Sequence, residues 1–399
     1  MRKKHDKDDS GVTPLVGILL AFAILVSLLA VVQLTAVPIW NQAEELNHQN
    51  EVHNDLQKLS ASVQTTASTG AVGSTSVEMG MRYPHRVFTR SPPSPSGTLS
   101  VGDERGFAVD NAVAVGTETR DYWDGTRREF TTARMTYEPN YNEVQGVTTV
   151  HEGNVFYHRE GDGTVLASNR KPVDGRTVRL TALGGEFSET AVRATDIETF
   201  PVSAPAKRVT VTSDDEEPLT FELPTELPEE RWDELLEPEL EDNGGYVASY
   251  DVDAEAETVT VEMVQEREGA TVTYSMYMAK VGVREGFDEA TAEYVTTPEG
   301  RGTGYTVEKN TNTTLSVEVR DAYNAQYGGE EVSFELEGDG ELTDDTATSR
   351  EDGLAYTTYV APDDSAEATV TASIGTDEEP WQRMEFDVSV VNTTATAEP

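Results

Sequence analysis

No cysteine occurs in the 399 residues, which removes disulfides, thiol nucleophiles and cysteine-held zinc at once. Domains large enough to bury their own cores manage without disulfides, so this absence does not argue against an extracellular site. Positive charge is also scarce, with 30 Lys plus Arg against 73 Asp plus Glu and a net charge of −43. A field of that sign opposes nucleic acid and anionic headgroups. It is best tolerated where salt is concentrated, since the Debye length falls from ~10 Å at 0.1 M to ~3 Å at 1 M. There is no Gly-x-Ser-x-Gly elbow, phosphate-binding loop or His-Glu-x-x-His motif, so the common hydrolase and nucleotide signatures are missing. Carboxylates are too evenly spread for any pair to stand out as a general acid and base.

Long apolar runs are lacking as well, save one. Leu15–Val37 reads LVGILLAFAILVSLLAVVQLTAV, and no charge falls between Asp9 and Glu44. As a helix these residues reach ~35 Å, enough for a hydrocarbon core of ~30 Å with some tilt. Alternatives are a buried core helix or a removed secretory signal, whose apolar region would be shorter. The expected partner is a lipid bilayer through Leu15–Val37. Arg2, Lys3, Lys4 and Lys7 precede the run and Glu44 and Glu45 follow it, so the N-terminus is expected in the cytoplasm and the rest outside. Trp40 is placed to anchor the outer boundary.

Beyond it Val52, Leu56, Leu59 and Val63 form one narrow apolar stripe on a polar helix, suited to packing on a neighbour or on the chain's own ectodomain. Ser62–Ser76, rich in Ser, Thr, Gly and Ala, predicts the helix end and a flexible joint. His48 and His53 do not share a helical face and are expected to be solvated. From Val77 short alternating runs predict strands, among them Val147–Val150, Val155–His158, Thr177–Ala182, Arg208–Thr212 and Leu219–Leu223. Thr258–Val264 and Thr271–Val283 are expected to pair antiparallel. His151 and His158 read as exposed strand histidines. Pro228 followed by Glu229, Glu230, Trp232, Leu235 and Leu236 predicts a short amphipathic helix over 228–238. Asp251, Asp253 and Glu255 have the 1-3-5 spacing of a calcium loop, with Glu262 at twelve, but Ala256 stands where that loop needs glycine. They read as a solvated edge, and no metal or cofactor site is expected. Asn312 and Asn392 head Asn-Thr-Thr sequons.

After a linker at 297–304, alternation is clean: Leu315, Val317 and Val319, then Val332, Phe334 and Leu336, then Val370, Ala372 and Ile374, then Phe386, Val388 and Val390. Short strands with one wet face predict an immunoglobulin-like sandwich.

Three resemblances add to this reading. Gly11-Val12-Thr13-Pro14-Leu15-Val16-Gly17 resembles the class III signal of archaeal type IV pilins and archaellins. That likeness implies a cut after Gly11, with Val12 as the new N-terminus, and a helix able to self-associate in a filament. Asp9 and Ser10 depart from the usual basic residue before the glycine. The acidic, Arg-over-Lys composition and the blocks Arg82-Tyr83-Pro84, Ser91–Leu99 and Met278–Val283 resemble haloarchaeal membrane-anchored surface proteins, which brings no activity with it. Val317–Asp321, Val332-Ser333-Phe334, Gly338–Leu342, Asp352–Ala355 and Tyr359–Pro362 resemble the bacterial Ig-like group 1 domains of invasin-type adhesins, implying a spacer or adhesion module.

The expected chain is mainly β with an N-terminal transmembrane helix and stalk, a β-rich sandwich-like domain and a C-terminal Ig-like β-sandwich. Its parts are a leader 1–10, an anchor 11–40, a helical stalk and joint 41–76, a β-rich extracellular domain 77–296, an Ig-like domain 305–392 and a tail 393–399. The expected role is a single-pass surface protein, not an enzyme, serving adhesion, spacing or filament and envelope association toward an extracellular protein or glycan. A non-polymerising signal-anchored ectodomain and, more remotely, an extracellular hydrolase are the alternatives.

Overall fold

The computed structural model describes residues 12–116, 119–161, 163–298, 301–375 and 379–392. Gly11 and the leader lie outside these. The chain is mainly β, built on one helix, Val12–Thr69, of 58 residues. At ~1.5 Å per residue it is ~87 Å long. It continues through Pro38, although a proline there removes the donor that the Leu34 carbonyl would otherwise meet.

The helix is not a free stalk. Val52, Leu56, Leu59, Val63 and Ala67 are buried in one cluster with Val77, Met79, Leu99, Met135, Phe156, Leu183, Ile197 and Val281. The strands that supply those partners belong to two sheets. The first has as its spine the strand Thr273–Val283, which runs parallel to Thr177–Gly184 and antiparallel to both Ala194–Ser203 and Arg208–Ser213. Gly73–Glu78, just past the helix, pairs antiparallel with Ala194–Ser203 and closes the edge. The second sheet runs in order Phe187–Ala191, Ser96–Val101, Arg134–Asn140, Thr148–Glu152, Val155–Glu160 and Gly163–Leu166. A third holds Val247–Asp253, Thr258–Met263, Thr220–Pro224, Arg105–Asp110 and Arg128–Thr132. Thr258–Met263 therefore pairs with Thr220–Pro224 and Val247–Asp253, not with Thr273–Val283. Both strands alternate, and alternation carries no information about which neighbour a strand meets.

The joint is also tight. Ser62 Oγ and Thr66 Oγ1 lie 3.1 and 2.9 Å from Thr199 Oγ1, and a Cβ on Gly73 would collide with Ser62 Oγ. Small residues here let a helix end and a strand approach closely, a composition that resembles a flexible linker. The short helix forms over Glu229–Leu236 with Trp232, Leu235 and Leu236 buried, and the Trp232 indole donates to Thr225 Oγ1.

The C-terminal module is an Ig-like sandwich. One sheet orders Ala292–Thr296, Asn312–Asp321, Leu354–Val360 and Glu341–Leu342; the other orders Gly304–Glu308, Arg383–Val391, Ala366–Ile374, Glu331–Gly338 and Thr346–Thr348. Its first strand thus precedes the expected start, because Ala292–Thr296 pairs with Asn312–Asp321. Tyr122 of the larger domain stacks on Tyr294 at 4.4 Å, and the Arg128 guanidinium lies 4.5 Å from Tyr122 and 4.3 Å from the Trp381 ring.

Leu59 is fully buried, so Leu59→Ala should destabilise the larger domain by roughly 2–5 kcal/mol. Urea unfolding of the full chain checks this: a free stalk would leave the midpoint unchanged.

Candidate functional site

The helix has two parts with different surroundings. In its N-terminal part Leu15, Ile18, Leu19, Leu20, Phe22, Ile24, Leu28 and Leu34 are all exposed by 60% or more. One 18-residue window has a mean hydropathy of 3.1 with none of it buried. Exposed apolar surface that continuous marks a lipid or protein contact. Among the described side chains there, the polar ones are satisfied: Ser27 and Thr35 donate to the carbonyls of Ala23 and Val31, both at 2.8 Å, and Gln33 is taken up by a loop described below. Back-bonded hydroxyls of this kind suit a helix in an apolar medium.

From Val37 onward one stripe turns inward: Val37, Asn41, Glu45, His48, Val52, Leu56, Leu59, Val63 and Thr66 are all buried. The spacing of three and four is the seam of a helix packed along its length. Its first half is polar, and every polar member meets a loop. Glu45, wholly buried, accepts the backbone N–H groups of Asn142, Glu143 and Val144, each at 2.9 Å. It also accepts the Tyr83 hydroxyl. Three amides and a phenol offset the cost of burying that charge. Burial, reinforced by the bond to Glu45, pushes the Tyr83 phenol up, which keeps it a donor. His48 Nδ1 is 2.8 Å from the Tyr141 hydroxyl. Asn41 Oδ1 accepts from Arg86 at 2.7 Å, and the Arg86 guanidinium lies 5.4 Å from the Trp40 ring. Gln33 donates to the Arg90 carbonyl and accepts its N–H, at 2.6 and 2.8 Å. Two loops, 81–95 and 141–146, thus form a collar where bare helix becomes buried helix.

Four of the histidines are drawn in from solvent, His48 and His151 buried and His53 and His158 half-buried. His53 stacks on His158 with ring centroids 4.0 Å apart, and Thr149 Oγ1 is 3.0 Å from His158 Nδ1. His151 is fully buried and does not meet His158, since Phe156 lies beside both rings. Burial lowers all four: His48 and His53 fall below the ordinary value, and His151 and His158 fall to about 4. Arg170 beside His151 and His53 beside His158 add to the effect.

Asp251, Asp253 and Glu255 do not converge. Asp253 Oδ1 accepts the N–H groups of Glu255 and Ala256, both at 2.8 Å, closing a turn. Among the described residues no three His, Asp or Glu side chains form a metal-holding group. Val12 begins the helix; Asn312 and Asn392 are exposed, and the threonines after Asn392 lie outside the described residues. Reading one stripe of four aliphatics missed the collar, because Asn41, Glu45 and His48 occupy the same seam but are polar. The signal was the spacing itself.

No family model matches the chain. An uncharacterized protein of Archaeoglobus fulgidus is 26% identical over 200 residues, 49% of this chain and 33% of that protein, so the chain spans about a third of that relative's length. Among solved structures, the D00-D0 domain of intimin is 12% identical, covering 48% of this chain and 94% of that one at a TM-score of 0.26. Domains 4 and 5 of the S-layer protein SbsC are 15% identical, covering 33% of this chain and 67% of that one at 0.20. Invasin, a bacterial integrin-binding protein, is 10% identical, covering 82% and 58% at 0.20. At these scores whole tracings do not superpose, and the sandwich is assigned from its own strand order.

Two outcomes are expected. Removing the buried carboxylate with Glu45→Ala leaves three amides without their acceptor, at roughly 1–3 kcal/mol each if they stay dry. Hydrogen exchange at Asn142–Val144 should accelerate while the Ig-like strands keep their protection. The second concerns pH. A histidine whose folded pKa lies below the unfolded ~6.5 binds fewer protons folded than unfolded, so its contribution is present at neutral pH and lost as pH falls from about 6.5 toward 4. Urea midpoints should therefore drop across that window. His53→Phe/His158→Phe should flatten the drop relative to the unaltered chain; an unchanged slope would exclude the pair as its source.

Proposed function

We propose that the chain is a membrane-anchored surface protein whose span is rigidly joined to the β-domains that it presents outside the cell. One observation carries this: a single helix is exposed all round and almost wholly apolar from Leu15 to Leu28, then packs along one buried seam from Val37 to Ala67. A core helix would not leave its most apolar half in water, and a cleaved secretory signal would not continue unbroken into a domain core. The N-terminus lies in the cytoplasm in this reading, because Lys and Arg precede the span. Two tandem β-domains carried on one anchored helix suit adhesion, spacing or envelope association. The ligand class is an extracellular protein or glycan, and Asn312 and Asn392, exposed on the Ig-like module, are open to glycosylation.

Within this proposal, the segment Gly11–Gly17 supports cleavage after Gly11 and a minor-pilin-like subunit. A bare helix fixed to a folded head can exchange lipid for the helices of neighbouring copies, since both offer an apolar environment.

Protease treatment of intact cells, followed by mass spectrometry of the membrane fraction, tests both levels. The expected result is release of fragments from 77–392 and a retained peptide beginning at Val12. A retained peptide beginning at Met1 would leave the anchor standing and remove the pilin-like processing. A protease-resistant, soluble species would overturn the anchor itself.

A further inference from the structure

The loop 81–95 does more than clasp the helix. Its anchor points fix its course: Tyr83 is held at Glu45, Arg86 at Asn41 and Arg90 at Gln33. The contacts step back along the helix by twelve residues, ~18 Å, toward the N-terminus and into the apolar run. The chain then returns, with the Pro93 carbonyl accepting from Asn142 beside Glu45. A bend occupies Val87–Thr89, between the Asn41 and Gln33 levels. At that bend Val87 is 80% and Phe88 82% exposed, the highest exposures among the large apolar side chains of the described residues.

The charge around the bend is equally unusual. Arg82, His85, Arg86 and Arg90 fall in a stretch with no Asp or Glu from residue 79 to 102. Elsewhere the chain averages an acid every five or six residues, as 73 in 399 implies. Arg82, His85 and Arg90 are exposed. Arg86 bonds only to neutral oxygens, those of Asn41 and Ser91.

We infer that the tip of this loop is a second membrane contact: Val87 and Phe88 enter the outer leaflet beside the helix, and Arg82, His85 and Arg90 meet lipid phosphates. The inference rests on the anchor proposed above and adds a contact to it. Apolar side chains at the level of the span's last turns, flanked by cations, make an interfacial anchor. Cations near an anionic lipid surface are drawn to it. A docked protein would fit the exposure of Val87 and Phe88 equally well, but not their position at the end of the span, where lipid is the medium already present.

The absence of cysteine makes the test direct. The full chain carrying Phe88→Cys, with a nitroxide on that thiol, is reconstituted in phosphatidylglycerol/phosphatidylcholine vesicles. Collision with oxygen, which partitions into lipid, is compared with collision with a neutral nickel chelate, which stays in water. Ile24→Cys, mid-span, and Thr346→Cys, on the distal sandwich, serve as references. The expected oxygen-to-nickel ratio at position 88 is several-fold above that at 346 and below that at 24. A ratio at 88 equal to that at 346, with 24 still lipid-like, overturns the loop contact and keeps the anchor. A water-like ratio at 24 overturns the anchor. Shielding of 88 from both probes means that protein covers the loop and also overturns the inference.

Discussion

Everything in this molecule depends on one helix remaining continuous between two solvents. Lipid demands apolar side chains on every face and no unpaired polar group; a domain core demands only a stripe. Leu15–Leu28 satisfies the first condition, its Ser27 hydroxyl being bonded within the helix, and Val37–Ala67 the second. A break between them would let the domains tumble on a tether. Continuity instead makes the helix axis a fixed line from the proposed bilayer to the centre of the larger domain. Pro38 stands at the changeover and is carried within the helix, where the collar packs around it.

The seam's polarity is graded, and the gradient has a physical logic. Farthest from the apolar half it is aliphatic, with Val52, Leu56, Leu59 and Val63 between two sheets. Nearer, it is Asn41, Glu45 and His48. Loops cannot bury aliphatic surface as sheets can, because their backbone groups need partners. A helix that must be gripped by loops therefore offers acceptors and donors instead. Glu45 captures three consecutive amides, and Gln33 takes the N–H and carbonyl of Arg90 much as a strand neighbour would. Such contacts are directional, so they fix the loops' register as well as their attachment.

Legibility in the sequence followed the same division. The long apolar helix, the amphipathic helix near Pro228 and the alternation of the Ig-like strands were readable, because each is a pattern along a single segment. Long-range pairing was not. Thr273–Val283 alternates and carries β-formers, yet its neighbours are Thr177–Gly184, Ala194–Ser203 and Arg208–Ser213, and nothing local specifies them. The histidines show a different limit. His53 and His158 are more than a hundred positions apart and become a stacked pair only through helix-on-sheet packing. Small residues misled in a third way. Ser62, Thr66 and Gly73 look like linker composition, but they permit contacts as close as 2.9 Å to Thr199.

Charge places a further constraint on how such a body meets a membrane. A net charge of −43 repels an anionic headgroup layer over a Debye length, ~8 Å at physiological ionic strength and ~3 Å at 1 M. Were the acids uniform over the surface, the domain nearest the bilayer would be pushed outward, straining the junction that holds it. The sequence instead withholds acids from residues 79–102, the loop that reaches nearest the apolar run, and sinks Glu45 beneath three amides that take up its carboxyl oxygens. The aromatic joint of Tyr122, Arg128, Tyr294 and Trp381 ties the acidic Ig-like module to the larger domain. Salt dependence of the whole should accordingly reside in the distal surfaces, while the collar, held by short directional bonds, is the part least sensitive to screening.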